Sequence, residues 1–331
     1  MIYDCFTFFN ELDLLEIRLH TLKDVVDKFV IAEATRTYTG KPKNLVFAEN
    51  RMRFSEFEAK IIYIRVDDLL SEEEVAKDIY NLPWVNENRQ RNALIKGLSN
   101  AGDNDIVIVS DVDESPRPEK ISEAESMASR GEIVRFEEES FGLFLNFKDF
   151  RNPYWYLGSI ALSWKTFHKS GKLDEVAYSR YTVESECQGN VIQKVRFIKP
   201  TVTIRRAGWH LTYMGGANKI KEKLAAFSHQ EAMVALDSVE ERLLRGENIL
   251  NGRRDNFAVP LSKAFLPEYV VDNAERFSDL ILNVPDEYFK KVFWCRAFTV
   301  LRGSLYRFLV RLIPVCFKRK LVVVWEKINF R

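Results

Sequence analysis

The chain has 331 residues, 46% of them hydrophobic and 29% charged, with a formal net charge of +1. That size and balance describe a globular protein built as one large α/β domain or two small ones, and the near-neutral charge excludes the broad basicity of a nucleic-acid binder. Cys5, Cys187, Cys295 and Cys316 lack C-x-x-C spacing and read as reduced thiols of a cytoplasmic protein. No basic stretch followed by an apolar one opens the chain, so no signal peptide or amino-terminal membrane anchor is expected.

From the amino terminus, residues 2–9 read as a strand and Asn10–Leu19 as a helix, with Asn10 its N-cap. Phe29–Glu33 is a second buried strand ending in an acid, and a polar loop, Thr35–Pro42, follows. Lys60–Val66 is a third strand, Ser71–Glu74 has capping-box spacing, and Trp84–Leu98 is a helix rich in polar side chains. Ile106–Ser110 is an apolar, β-branched run, the pattern of a strand buried on both faces. It breaks into Asp111-Val112-Asp113-Glu114, after which Pro116 and Pro118 should end the strand. On extended chain Asp111 and Asp113 would leave the same face while Val112 points back into the core.

Beyond the acids, Pro118–Arg130 is a helix closed by Gly131, and residues 133–150 hold aromatic strand-like runs around Glu137-Glu138-Glu139. Tyr154–Trp164 turns into another strand. Short strands over 195–198 and 201–204 lead to Gly208-Trp209-His210, and helices cover Lys219–Glu231 and Val239–Arg245. The alternation predicts an α/β fold, a Rossmann-like, mainly parallel mixed sheet flanked by helices. One continuous domain over 1–285 is expected, with a nucleotide-binding half, 1–117, and an acceptor-side completing half, 118–285.

In such sheets ligands sit outside the carboxyl ends of the strands, so Glu33, Asp67, Asp68, Asp111 and Asp113 should share one rim. The Asp-x-Asp pair fits either a hard divalent cation holding a diphosphate or a plain acidic turn. His210 fits a third ligand or a half-buried, hydrogen-bonded histidine. Gly215 and Gly216 fit a close approach to phosphate or sugar, or simple turns. Arg89, Arg91 and Asn92 can clamp a diphosphate or form the solvated face of a helix. His168 and His229 read as structural.

Several of these stretches are distinctive together: Asp4-Cys5-Phe6 with Phe8–Leu19, Glu33–Pro42, Asn88–Asn92, Ser110–Pro118, Gly208–Leu211 and Phe227–Glu231. The pattern, from residue 2 to about 282, resembles glycosyltransferase family 17, which contains N-acetylglucosaminyltransferases with bacterial and viral relatives. The resemblance implies a GT-A type fold, a nucleotide-sugar donor such as a UDP-sugar carrying GlcNAc or a related hexose, a glycan acceptor, Mn²⁺ or Mg²⁺, and inversion at the anomeric carbon. Carried over by position, Asp111 and Asp113 match the metal and diphosphate motif, with Glu114 following. Glu119 stands where an acid is usual and is a second catalytic candidate. His210 is a metal ligand by analogy with other GT-A enzymes, and Asp4, Glu33 and Arg36 fall where donor recognition is expected. For the general base the choice is Glu139, on an acidic run in a β-rich segment, ahead of Glu138, Asp174 and Glu175. The stretch 165–200 matches less clearly, so the acceptor does not transfer with the resemblance.

The tail, 286–331, stands apart: from Tyr288 to Arg331 there are eleven Lys or Arg and one acid, Glu326, among many aromatic and aliphatic residues. Arginines interrupt the apolar run too often for a spanning helix. A basic amphipathic helix lying on anionic lipid fits, as does a helix packed on the body. The first reading puts the protein on the inner face of a membrane and makes a lipid-linked glycan its acceptor. Two other functions share some of these features. A haloacid-dehalogenase-type phosphohydrolase also carries Asp-x-Asp after a buried strand, although Ser115 here holds a place usually taken by Thr or Val. A non-catalytic, membrane-associated glycan-binding module is the other.

Overall fold

The computed structural model describes residues 1–170, 195, 199–230, 238–250, 252, 253, 256–285, 287 and 288. Asp174, Glu175, the strand expected over 196–198, Glu231, three of the four cysteines and the basic tail lie outside them, as does the side chain of His168. Met1–Leu282 form one compact unit and Asn283–Arg331 another.

Among the described residues eleven strands form a single sheet: β1 (Ile2–Phe8), β2 (Lys28–Ala34), β3 (Ile61–Val66), β4 (Ile106–Asp111), β5 (Glu114–Pro116), β6 (Val134–Gly142), β7 (Phe147–Asp149), β8 (Tyr154–Trp155), β9 (Ile160–Ser163), β10 (Val202–Thr212) and β11 (Asn256–Ala258). The main path runs β11-β7-β6-β9-β4-β1-β2-β3, with β10 on β5 and β6, and β8 on β6. Strands β4, β1, β2 and β3 are parallel. The sheet becomes mixed beyond β4, where β9 runs antiparallel and β10 lies parallel to β6. This is the helix-flanked α/β sheet expected from the alternation of patterns.

Two-residue periodicity explains why the central strands read as unbroken apolar runs. Ile106 and Ile108 of β4, with Phe6 and Phe8 of β1, face one core, completed by Leu15, Leu19 and Leu22 of the Leu12–Leu22 helix and by Ile121 and Ala124 of the Pro118–Ser129 helix. Val107 and Val109, with Tyr3 and Cys5, face the other, packed by Leu94, Leu98, Trp164 and Phe167. Each strand is covered on both sides, so apolar side chains dominate both faces, and the polar exceptions, Asp4, Thr7 and Ser110, are buried. Burial also pushes the Cys5 thiol well above its ordinary pKa, which makes it a packing residue rather than a nucleophile.

Local details depart from the sequence reading at three points. The first helix begins at Leu12 with Glu11 at the N-cap, and the Asn10 side chain donates instead to Glu222 at 2.8 Å. Pro116 ends strand β5 instead of preventing it: the three-residue strand pairs antiparallel with β10, Pro116 opposite Gly208, and a terminal position tolerates the missing N–H. β10 is one strand of eleven residues, irregular between Ile204 and Gly208, where Arg206 adopts a φ of 51°. The capping box at Ser71 and Glu74 is present as expected, with both reciprocal hydrogen bonds formed.

A third core, with Leu14, Ile17, Phe141, Trp209, Leu211, Val270 and Phe277, binds residues 259–281 to the first helix. Glu16 is its polar fastening, accepting from Arg276 Nη2 at 2.6 Å, Arg53 Nε at 2.8 Å and Tyr269 Oη at 2.9 Å. Burial alone would raise the Glu16 carboxyl, but these donors outweigh it and bring it from 4.5 down to about 2. A folded-state pKa below the unfolded one stabilises fully above the unfolded value and is lost as pH falls towards the folded value. Acid titration followed by circular dichroism should therefore show stability falling between about pH 4.5 and 2, and Glu16→Gln should lose stability at neutral pH while flattening that decline. An unchanged acid limb in Glu16→Gln would assign the transition to other carboxylates.

Candidate active site

The acidic turn stands at the carboxyl end of β4, beside β1 and β10. Its foundation is Arg18, which is fully buried near the middle of the Leu12–Leu22 helix. The guanidinium binds both oxygens of Asp4 on β1, at 2.6 and 2.8 Å, and Ser110 Oγ at 2.6 Å. Its remaining nitrogen donates to the backbone oxygens of Asp111, at 3.1 Å, and Glu114. One side chain thus grips both ends of the turn from below, with its charge balanced by Asp4. Asp4 lies wholly inside this pair, so it supports the site from beneath and does not face a donor.

Strand β4 ends at Asp111, and Val112-Asp113 form a turn before β5. Val112 is buried in the core as expected. The turn splits the two carboxylates, which would have left one face of an extended strand. Asp111 accepts from Thr7 Oγ1 at 3.1 Å, its opposite number on β1, and from Arg91 at 2.7 Å. Asp113 accepts from Lys223 Nζ at 2.8 Å, and His210 Nε2 stands 4.0 Å from the same oxygen. Burial would raise the Asp113 carboxyl, but Lys223 and His210 outweigh it and hold it below the ordinary carboxylate range.

His210 reaches this point because β10 pairs with β5, setting His210 opposite Glu114. Trp155 stacks on its ring, centroids 4.6 Å apart and planes 22° off parallel, and donates its indole N–H to Glu114 at 2.7 Å. The close approach of β10 to β5 requires Gly208: a Cβ there would lie 2.6 Å from the Ser115 carbonyl oxygen and 2.7 Å from Glu138 Cγ. Gly208→Ala should accordingly lower stability by roughly 1–3 kcal/mol, the scale of overpacking a tight interior, with His210 displaced. Thermal melts and the His210 imidazole NMR signals check this, and an unshifted spectrum with unchanged stability would contradict it.

The Asn88–Asn92 motif and the described part of the other, Phe227–Gln230, meet through a residue the sequence reading did not single out, Glu87. Arg91, which binds Asp111, also binds Glu87 at 3.1 Å, and Glu87 accepts from Ser228 Oγ. Tyr38 lies in the same group; burial and Glu87 raise its phenol pKa, against the pull of Arg91. His229 packs edge-on against Trp84, centroids 4.4 Å apart. The missing signal was spacing: Glu87 and Arg91 are four residues apart on one helical face, as an ion pair requires.

Other candidates fall elsewhere. Glu33 is fully buried and accepts from the Phe47 N–H at 3.0 Å and Tyr63 Oη at 2.9 Å, so its carboxylate faces the short Val46–Glu49 helix rather than the rim. Arg36 donates to the Gly40 carbonyl and Arg89 to that of Asp68, each stabilising a loop. Asn92 is half-buried on the Leu82–Ala93 helix. Glu119 is exposed on the first turn of the Pro118–Ser129 helix, 3.9 Å from Arg117. Glu139 is buried between Lys148 and Arg117, the latter at 2.8 Å. Against the pull of burial, these two cations hold its pKa below the ordinary range. A carboxylate bound in that way is a poor proton acceptor. Its neighbour Glu138 is the opposite case: burial and then the nearby Glu114 push it well above the ordinary range, and Oε2 has no hydrogen-bond partner.

Among the described residues no three His, Cys, Asp or Glu side chains are gathered closely enough to hold a metal ion. The donor chemistry nonetheless suits one: Asp113 and His210 converge, and Asp111 is one turn residue away. Closure around an ion would require Asp111 to turn from Arg91 and Lys223 to leave Asp113.

Residues 1–146 match the family model of Glycosyltransferase family 17. Among curated proteins, the Homo sapiens β-1,4-mannosyl-glycoprotein 4-β-N-acetylglucosaminyltransferase is 31% identical over 113 residues, 32% of this chain and 20% of that protein. The Mus musculus protein of the same name is 30% identical over the same shares. The chain thus matches about a fifth of the length of these relatives. Among solved structures, S. aureus TarS 1-349 superposes with a TM-score of 0.36 and 8% identity, covering 73% of this chain and 70% of that one. The galactosyltransferase LgtC, solved with donor and acceptor sugar analogues, gives 0.32 and 13% over 88% of this chain and 99% of that one. The stretch that matches the family model of glycosyltransferase family 17, residues 1–146, thus runs from β1 through the Asp111–Glu114 turn to the end of β6 and the loop after it.

Proposed function

We propose that this protein is a glycosyltransferase that moves a sugar, GlcNAc or a related hexose, from a nucleotide-sugar donor to a glycan, with inversion at the anomeric carbon. The observation that carries the reading is the approach of His210, on β10, to 4.0 Å from Asp113, on the acidic turn inside the family-matching residues 1–146. Asp113, His210 and Asp111 would hold a divalent cation, Mn²⁺ or Mg²⁺; when bound, the ion supplies Lewis-acid charge to the departing nucleotide. The chain's own residues supply the rest. Arg18 fixes the backbone of the turn from inside, before any ligand arrives, and leaves the Asp111 and Asp113 side chains to exchange their present partners. Trp155 covers one face of His210 and fixes its ring plane. Glu139, tied to Lys148 and Arg117, is set aside as the base in this reading, and the acceptor hydroxyl must be deprotonated by a carboxylate not so neutralised.

The test is a panel of nucleotide sugars titrated by calorimetry with and without Mn²⁺, followed by mass spectrometry of any released nucleotide. Metal-dependent binding of one donor class, with slow donor hydrolysis, is the expected result. Phosphate release from simple monoesters with no nucleotide binding would replace this reading by a phosphohydrolase. Glycan binding without nucleotide binding would replace it by a lectin-like module.

A further inference from the structure

We propose that Lys223 changes partners during the working cycle: it sits on Asp113 while the metal position is empty, yields that oxygen to the divalent cation, and then serves as the protein's own cationic contact to the donor diphosphate. The second half of this inference rests on the proposed function; the first half does not.

The argument begins with the two cations that hold the acidic turn. Arg91 is almost fully buried and is committed to Asp111, Glu87 and the Ser110 carbonyl together. Lys223 is more exposed, with 25% of its side chain open to solvent, and among the described residues Asp113 is the carboxylate it hydrogen-bonds. A second acid, Glu11, waits 3.7 Å from the same ammonium. Glu11 is itself fixed, accepting the backbone N–H groups of Phe9 and Asn10 at 3.2 and 3.0 Å. Lysine is a point charge on a flexible four-carbon stem and can rotate between two such acceptors, whereas a bidentate arginine cannot.

Lys223 lines a small, solvent-open cleft together with Asn10, Glu11, Asp13, Tyr213 and Lys219, so both acids and the ammonium border the same opening. The Tyr213 ring centroid lies 5.8 Å from the ammonium and offers it a further favourable contact. A divalent cation at Asp113 and His210 would sit within a few ångströms of Lys223 in its present place, and like charges that close repel strongly. Displacement towards Glu11 keeps the lysine paired and keeps a positive charge beside the metal, where a diphosphate carries more negative charge than one ion neutralises.

The experiment uses the full chain, with Mn²⁺ alone and then UDP at saturating Mn²⁺ as probes, both followed by calorimetry and by quenching of tryptophan fluorescence. Lys223→Met should bind Mn²⁺ roughly tenfold more tightly than the natural protein and UDP roughly tenfold more weakly. Lys219→Met serves as the comparison, because Lys219 lines the same cleft yet pairs, among the described residues, with Asp13 at 3.8 Å and not with Asp113, and it should move neither affinity more than about twofold. Thermal melts establish that both variants are folded. Unchanged or weaker Mn²⁺ binding in Lys223→Met would overturn the parked position, and so would an equal gain in Lys219→Met, which would mark a diffuse charge effect. Unchanged UDP affinity would overturn the diphosphate contact. A natural protein that binds Mn²⁺ but no nucleotide would refute the functional reading, while the Mn²⁺ comparison would still decide whether Lys223 occupies Asp113.

Discussion

Arg18→Met should destabilise the protein by about 3–5 kcal/mol, the cost of leaving a buried charge without its partner. The charge left behind is Asp4, fully buried on β1, whose two oxygens are both bound by the guanidinium. The same substitution strips donors from Ser110 Oγ and from the carbonyls of Asp111 and Glu114. Two effects are therefore superimposed, and a double variant separates them. Asp4→Leu with Arg18→Met removes the unpaired charge and should recover much of the stability, because an apolar pair of similar volume often replaces a buried ion pair at little cost. It should not recover ligand binding, since the turn carbonyls still lack the group that positions them. Equilibrium urea unfolding and Mn²⁺ titration on both variants check this. Loss of binding repaired together with stability would reduce Arg18 to a packing residue.

Much of the fold was legible because β1, β2 and β4 are buried on both faces, a condition that shows as apolar residues on successive positions, clearest in Phe29–Ala32 and Ile106–Val109. The helix carrying Arg18 was legible too, and so was the position of the acidic turn. The direction of individual carboxylates was not. Glu33 and Asp111 both end parallel strands, and position along a strand says nothing about whether a helix amino terminus such as Phe47 N–H will draw the acid inward. Asp4 was assigned to the donor by its place in the family pattern and Glu139 to the base as part of an acidic run in a β-rich segment, but a buried ion pair looks the same in sequence; only their partners, Arg18 and the pair Arg117 and Lys148, reveal it. Glu87 and Lys223 were overlooked for the reverse reason. Each is an ordinary charged residue on a polar helix, and its importance comes from contacts with residues 141 and 110 positions away, Ser228 and Asp113.

Asp113→Asn should lower sugar transfer by roughly a hundred- to a thousandfold, the scale of removing one preorganised electrostatic group from a reacting centre, while leaving the fold nearly intact. Asp113 is the acid approached by both Lys223, at 2.8 Å, and the His210 imidazole, at 4.0 Å. Its loss leaves Lys223 unpaired, but Lys223 is partly solvated and has Glu11 3.7 Å away, so the stability cost should be only about 1 kcal/mol. Asp111→Asn differs in kind. Arg91 would keep Glu87, and the substituted amide could still accept from Thr7, so the turn survives with one charge fewer. If Asp113 acts through a divalent ion, raising Mn²⁺ should restore part of the lost rate in Asp113→Asn, because a weakened site refills by mass action. If it acts only by anchoring Lys223, added Mn²⁺ will do nothing and Lys223→Met will show the same defect as Asp113→Asn. Initial rates across a Mn²⁺ series for both single variants and the double variant separate these cases. The first predicts losses that combine in the double variant; the second predicts that either substitution alone already produces the whole effect.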